Sequence, residues 1–184
     1  HRLIRETLEQ FEKYQDEWTQ FLSWFREIPL FIEKEHFRVV HACWDSHAID
    51  RLKSSWPNGA VSEDLLHASA EQGSFESRLV DKLTRGTALE LPNGETILGS
   101  DGLERSMFRT KFWNDNPNTY SDVVFQPDPL PDEIASRVLT AIERQQLLSY
   151  PKTEKPVFVG HYWMSTEPEP IQQNIACLDY CAVK

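Results

Sequence analysis

Two short apolar runs near the end of the chain, within KPVFVGHYW and NIACLDYCAV, constrain its fold more than any other feature. Each run is almost continuously apolar, which is typical of strands buried on both faces in the centre of a sheet. A hairpin is predicted earlier in the chain, with strands at 30–32 and 37–40 joined by the charged turn 33–36. The sequence therefore predicts a sheet with a buried centre.

Helical periodicity dominates the first part of the chain. Apolar residues at steps of three, four and seven from Ile4 to Phe25 predict one amphipathic helix that Pro29 ends, and this helix needs a core to lie on. Three shorter helices are predicted further along, and their N-caps are Asp45, Ser62 and Ser74. Gly86, with a positive φ, is predicted to end the third.

The segment at about 87–130 is predicted to be a β-rich excursion, because Pro-Asn-Gly and Ser-Asp-Gly turns separate short alternating runs. A further helix is expected from about Pro131. Its apolar face would carry Ile134, Val138, Ala141 and Ile142. The chain has 184 residues, 40% of them hydrophobic, and six tryptophans, which favours one α/β domain over residues 1–184.

Charge and apolar content exclude several classes of partner. The net charge is −10, and acids and bases are interleaved, so no basic face for a nucleic acid polymer is expected. No apolar run approaches the roughly 20 residues that a membrane-spanning helix needs, and no signal-peptide pattern occurs. The three cysteines do not form a disulfide framework. We therefore expect a cytoplasmic protein without a membrane partner.

Two cysteines near the end of the chain are a poor zinc site. If Cys177 and Cys181 lie on one strand, they are about 13 Å apart, whereas zinc–sulfur bonds are about 2.3 Å long. Both are predicted to be small buried residues.

Two histidines directly follow apolar β runs. His41 follows residues 37–40 and His161 follows Gly160, and loops at strand ends are where a rigid scaffold presents chemistry. Gly160 is expected to allow a tight turn or a close approach. Because the two histidines are far apart in sequence, the fold would have to assemble any metal ion that they share. The alternative is that both are structural residues.

Motifs of other enzyme classes are missing from the sequence. It has no G-x-S-x-G, no phosphate-binding glycine-rich loop and no H-E-x-x-H. A hydrolase of another type and a binding module remain as hypotheses.

Four stretches, FLSWFREIPLF, FRVVHACWD, PVFVGHYW and IACLDYCAV, resemble the carboxy-terminal half of bacterial calcineurin-like metallophosphoesterases. The similar branch holds the serine/threonine phosphatases and the symmetrical diadenosine tetraphosphate hydrolases. The resemblance implies a four-layer αββα sandwich of two packed sheets flanked by helices, with its amino-terminal part missing from this chain. Trp163 stands where many members have the last histidine of G-H-x-H.

The same resemblance implies that His41 and His161 bind one ion of a binuclear metal centre. Two ions about 3.5 to 4 Å apart would activate water and hold phosphoryl oxygens, and Mn, Fe, Ni, Co or Zn would suit imidazole ligands. The implied activity is hydrolysis of a phosphorylated small molecule, a dinucleoside polyphosphate or a phosphoprotein. The alternative is a non-catalytic binding or regulatory domain on the same scaffold.

The family's remaining ligands, its phosphate-holding arginine and its general acid come from motifs written D-x-H, G-D-x-x-D-R-G and G-N-H-E. The last two do not occur in the 184 residues. The resemblance places these motifs upstream of His1, and we expect the 184 residues alone to be inactive.

Three further residues are candidates for supporting roles. Arg109 and Trp113 lie where the phosphatase branch carries residues that contact substrate, and Arg109 is a candidate phosphate contact. Asp45 is a candidate to orient His41, or simply a helix cap. The alternative for each of these residues is a structural role. His36, His47 and His67 are expected to be exposed and to have no functional role.

Overall fold

The computed structural model describes residues 4–57, 59–99, 102–125, 130–164 and 167–180, and these residues form a mixed α/β structure. The helices are α1 (Arg5–Gln10), α2 (Gln15–Glu27), α3 (Ser46–Lys53), α4 (Glu63–Ala70), α5 (Phe75–Arg85), α6 (Tyr120–Val123), α7 (Asp132–Ala135) and α8 (Ala141–Gln146). The strands are β1 (Phe31–Glu33), β2 (Arg38–Val40), β3 (Ala88–Glu90), β4 (Ile97–Leu98), β5 (Glu104–Arg105), β6 (Met107–Thr110), β7 (Val124–Phe125), β8 (Val157–Val159) and β9 (Ile175–Cys177). No helix in these ranges is long and apolar enough to cross a membrane.

The single helix predicted at the start of the chain is divided into α1 and α2. The side-chain amide of Gln15 donates to the carbonyl oxygens of Phe11 and Glu12, so these carbonyls do not continue the helical ladder. The ring of Phe11 instead packs against those of Trp18 and Phe21, with centroids 5.2 and 5.8 Å apart. These packed aromatic residues keep the helical spacing of apolar residues across the break. The sequence pattern therefore predicted one continuous helix.

The apolar side chains of α1 and α2 are largely exposed. Within these two helices no residue is buried, and the side chains of Trp24 and Phe25 are 54% and 49% exposed. The prediction that this helix lies on a core is therefore not met by the described residues.

The main sheet contains the predicted hairpin and both apolar runs. In the described part of the chain its strand order is β1-β2-β8-β9. β1 and β2 are antiparallel, as predicted, whereas β2, β8 and β9 run parallel. β8 is central, as its sequence indicated, and β9 ends the described order. Because β2, β8 and β9 are parallel, their carboxyl ends meet at one edge of the sheet.

One face of this sheet packs on the main core. The core residues are Phe31, Val40, Cys43, Trp44, Ile49, Leu52, Leu65, Leu79, Leu83, Phe112, Tyr150, Val157, Val159, Tyr162, Ile175 and Cys177. They come from the sheet, from α3, α4 and α5 and from the later loops. Burial of so many large side chains supplies the main stabilisation.

The opposite face of the sheet carries one apolar residue from each strand. The register aligns Ile32 with Val39, Val39 with Phe158, and Phe158 with Ala176. Aligned residues point to the same side of a sheet. Ile32 is 38% exposed and the other three are half-buried. We call these four residues the outer row.

The predicted helix caps are confirmed. The side chains of Asp45, Ser62 and Ser74 each accept a hydrogen bond from the backbone N–H three residues later. Gly86 follows α5 with φ +79°, as expected of a helix-ending glycine.

The segment after α5 forms two small sheets. β3, β6 and β7 make an antiparallel sheet, and β4 pairs with β5. The three-stranded sheet packs, with α6 and α7, on a second buried cluster that includes Leu89, Phe108 and Tyr120. Ser100 and Asp101 of the predicted Ser-Asp-Gly turn lie outside the described residues, as does Asn58.

The helix predicted from about Pro131 begins as expected, because α7 starts at Asp132 with Pro131 as its N-cap, but it does not continue to Ile142. The chain leaves the helix after α7 because Val138 pairs with Thr119, and the Arg137 carbonyl accepts from the Tyr120 N–H at 3.1 Å. Thr140 then caps α8. Val138 and Ile142, assigned to an apolar face, are 60% and 69% exposed.

A charged network fastens the hairpin to α3. The carboxylate of Glu33 accepts from Arg38 Nε at 2.9 Å and from Lys53 Nζ at 2.5 Å. Burial alone would raise the pKa of Glu33, but the hydrogen bonds from Lys53 and Arg38 outweigh it and lower the pKa to about 2. The ionised form is therefore the one that the fold stabilises.

We expect the Gly86→Ala variant to be less stable than the parent chain by roughly 1 to 3 kcal/mol. Its φ is positive, and a Cβ atom would lie 3.0 Å from the Tyr162 hydroxyl oxygen. Denaturant unfolding measures the loss. The matched control is Gly73→Ala, which has φ +84° but no described atom within 4 Å of the new Cβ. An equal loss in both variants would show that the contact with Tyr162 costs nothing.

Glu33 should make stability depend on acidic pH. Its folded pKa of about 2 lies below its ordinary value of 4.5, so its contribution is complete above pH 4.5 and is lost as pH falls towards 2. We expect Glu33→Gln to lower the free energy of unfolding at pH 7 by roughly 1 to 3 kcal/mol and to flatten its decline below pH 4.5. Urea unfolding at several pH values measures both effects. Glu35→Gln, in the exposed turn, is the control, and an identical pH profile for both variants would contradict the prediction.

Candidate functional site

His41 and His161 lie side by side at the carboxyl edge of the main sheet. His41 follows β2, and His161 follows β8 after Gly160. The Gly160 N–H donates to the His41 carbonyl oxygen at 2.9 Å, so parallel pairing continues to the first histidine. The two imidazole centroids are 5.3 Å apart. The fold therefore brings together the two residues predicted to share an ion.

The strained backbone falls on His161 and not on Gly160. A Cβ atom at Gly160 would meet the His41 carbonyl oxygen at 3.6 Å and His41 Nδ1 at 3.8 Å, which are ordinary contacts. His161 has φ +62°. For a residue with a side chain this left-handed conformation costs about 1 kcal/mol or more, and such residues cluster at functional sites.

Two contacts hold His161 in this conformation. Arg109 Nη1 donates to the His161 carbonyl oxygen at 3.1 Å. The next residue, Tyr162, is fully buried, and its ring packs against those of Trp113, Phe125 and Phe112. The chain is therefore anchored on both sides of the imidazole.

The imidazole of His161 has the properties of a neutral ligand. Burial lowers its pKa, and the charges of Arg109 and His41 lower it further, against a hydrogen bond to the backbone of Arg85 and the charge of Asp179. Nε2 is buried and has no hydrogen-bond partner among the described residues. If the other nitrogen donates to Arg85, then Nε2 carries a free lone pair, as in metal-bound histidines whose second N–H is held by a carbonyl.

Asp179 is a neighbour of His161 that the sequence did not single out. It follows β9 at the same sheet edge, its carbonyl oxygen accepts from the Met164 N–H at 3.1 Å, and its Cβ approaches Gly160. Its position two residues after an apolar strand was the available signal, because β9 is parallel to β8. The backbone of Arg85, which ends α5, could not have been assigned from sequence.

Arg109 lies on β6 and is half-buried, with its guanidinium 5.8 Å from the centre of the Tyr162 ring. It contacts the backbone of His161 and leaves other N–H donors for a further acceptor. Trp113 packs with a ring centroid 4.9 Å from that of Tyr162. Trp113 thus supports the site from behind, while Arg109 borders it.

Asp45 has two structural contacts. One carboxylate oxygen caps α3 through the Ala48 N–H at 3.0 Å, and the other pairs with Lys82 Nζ at 2.7 Å. Among the described residues, no hydrogen bond joins the Asp45 side chain to His41. The triplet Asp45-Ser46-His47 has the letters of D-x-H, but it begins a helix and His47 is exposed there. His36 and His67 are exposed as predicted.

The donor set near the two histidines is incomplete for a metal ion. Within the described ranges no group of three or more His, Cys, Asp or Glu side chains could hold one. Cys43 and Cys177 are buried thiols, as expected of small core residues, and burial raises the pKa of Cys43 to about 12. Cys181 lies outside the described residues. Two imidazoles therefore fit part of a coordination sphere.

No family model, curated protein or solved structure matches this chain at a significant level.

The left-handed backbone at His161 predicts a selective response to substitution. We expect His161→Val to be less stable than His161→Asn by roughly 1 to 2 kcal/mol, because Asn tolerates positive φ and a β-branched residue does not. Urea unfolding of both variants measures the difference. The same pair at His41, whose φ is not positive, is the control. Equal differences at both sites would mean that His161 is not left-handed in solution.

Proposed function

We propose that the protein containing this chain is a metal-dependent phosphoester hydrolase with a binuclear centre, and that His41 and His161 bind one of its ions. The observation that carries the proposal is the unpartnered Nε2 of His161 beside His41, at the carboxyl edge of parallel strands. A structural histidine in a core is normally hydrogen-bonded through both nitrogens. A free buried lone pair with its second nitrogen held by backbone is the arrangement of a ligand.

Two imidazoles suit Mn, Fe, Ni, Co or Zn, so the identity of the metal is not specified. When bound, such ions lower the pKa of water and polarise phosphoryl oxygens. The proposal requires further ligands, which the family resemblance places in the motifs upstream of His1. Asp179, whose charge acts on His161, is available to orient an imidazole or to accept a proton.

Arg109 would have two functions in this proposal. Its bond to the His161 carbonyl positions the ligand, and its remaining donors are available to hold a phosphate oxygen. Removal of Arg109 should then affect both metal affinity and the KM for substrate.

A four-layer αββα sandwich is the architecture that we propose for the complete domain. The outer row makes this face of the main sheet apolar across all four strands. A second sheet packed on this face would bury it, as in other face-to-face sheets. Phosphorylated small molecules, dinucleoside polyphosphates and phosphoproteins are the candidate substrates, in a protein that we place in the cytoplasm.

A non-catalytic binding or regulatory domain is the second candidate. Such a domain would keep the scaffold and the His41–His161 pair without a complete metal centre.

The test uses the complete gene product, purified, loaded with Mn²⁺ and dialysed. We expect close to two ions per chain by mass spectrometry and hydrolysis of p-nitrophenyl phosphate. His41→Asn and His161→Asn should each lose close to one ion, and activity should fall by roughly 100-fold or more. Asparagine keeps the positive φ at position 161, so loss of fold does not confuse the result.

The matched control is His36→Asn, in the exposed turn, which should retain both metal and activity. A parent protein that binds no metal would favour the binding domain. Hydrolysis that survives both histidine substitutions would refute their assignment as ligands. The 184 residues alone should show no hydrolysis.

A further inference from the structure

A pocket of about 190 Å³ with a mixed polar and apolar lining lies outside the histidine site. It is formed by the loop that follows β6, residues 111–117, and by the end of α8 with the residues after it, 144–149. Lys111 and Arg144 line it from these two segments, and Val123, Leu147 and Leu148 form an apolar wall. Two cations thus approach one cavity in a chain whose net charge is −10.

Lys111 is a half-buried ammonium group without an ion-pair partner among the described residues. Its Nζ donates to the Ser121 carbonyl oxygen at 3.0 Å, which leaves two N–H donors. Burial lowers its pKa, and the charge of Asp122 only partly opposes this. A partly desolvated cation is costly unless an anion compensates it.

Arg144, which is exposed, lines the other wall. Its Nη2 donates to the side-chain oxygen of Asn118 at 3.2 Å, a neutral acceptor, and no described carboxylate pairs with it. Guanidinium carries five donors in a planar fork, which matches the oxygens of a phosphate group. Arg144 lies in the last turn of α8, where a cation can stabilise the helix carboxyl end in a purely structural role. That role does not account for the presence of Lys111 on the opposite wall.

One carboxylate in the lining reduces but does not cancel the positive charge. Asp115 lies in the loop, and one of its oxygens accepts from the Ser149 hydroxyl at 3.3 Å. With Lys111 and Arg144 the lining therefore carries two positive charges and one negative charge. This hydrogen bond joins the two segments that form the pocket walls.

We propose that this pocket binds the phosphate group of a small anion, with Lys111 and Arg144 contacting its oxygens. The ligand chemistry is a phosphate or phosphate monoester, and Leu147, Leu148 and Val123 provide an apolar surface for a small organic group attached to it. The site is separate from the two histidines and does not depend on the proposed hydrolysis.

The test follows backbone amide shifts of the complete gene product by NMR, after chelation of metal and at constant ionic strength. Inorganic phosphate and phenyl phosphate are titrated separately. We expect saturable shifts confined to residues 111–117 and 144–149. Lys111→Gln and Arg144→Gln should each weaken binding by roughly tenfold, because each removes a charge-assisted hydrogen bond. Glutamine can still donate to Ser121, so the first variant keeps the local structure.

The control is Lys152→Gln, an exposed lysine outside the pocket, which removes the same charge and should leave affinity unchanged. Tighter binding of phenyl phosphate would identify an organic monoester as the ligand, whereas equal affinities would identify free phosphate. Linear, unsaturable shifts, shifts centred on His41 and His161, or equal weakening by all three variants would overturn the proposal.

Discussion

Parallel pairing of β2 with β8 is the interaction on which the rest of the structure depends. It joins segments that are far apart in sequence, and its ladder runs from the Arg38 N–H, which donates to Pro156, to the Gly160 N–H, which donates to His41. Both histidines of the candidate site take their positions from this ladder. Since each strand has only three residues, its stability comes less from the ladder itself than from the core packed beneath it.

The core reaches His161 through its neighbour in sequence. Tyr162 is buried in an aromatic group with Trp113 and Phe125, and it is adjacent in sequence to His161. Trp113 and Phe125 come from the β-rich segment after α5. The small antiparallel sheet therefore helps to position the His161 imidazole, although none of its own residues is a histidine. Arg109, on β6 of this sheet, adds a direct hydrogen bond to the His161 backbone.

Local signals in the sequence were sufficient for part of this structure. Strand alternation gave the hairpin, and side-chain oxygens at Asp45, Ser62 and Ser74 gave three helix starts, because caps act within one turn. The apolar runs predicted that His41 and His161 each follow a strand, whereas their closeness was implied only by the family resemblance. Three features were not predicted, because each depends on tertiary contacts between distant segments. They are the left-handed backbone of His161, the role of the Arg85 backbone and the division of the Pro131 helix. Asp179 was visible only once β9 was known to be parallel to β8.

The outer row has a practical consequence for work with the isolated chain. Ile32, Val39, Phe158 and Ala176 form an apolar strip across the sheet, which is exposed at Ile32 and half-buried at the other three positions. Ile32 lies on β1, an edge strand in the described order. Exposed apolar strips at sheet edges promote aggregation. Salts that strengthen apolar association should therefore precipitate the chain early. A lysine in place of Ile32 is the smallest change that would interrupt the strip at the point where a second molecule would first attach.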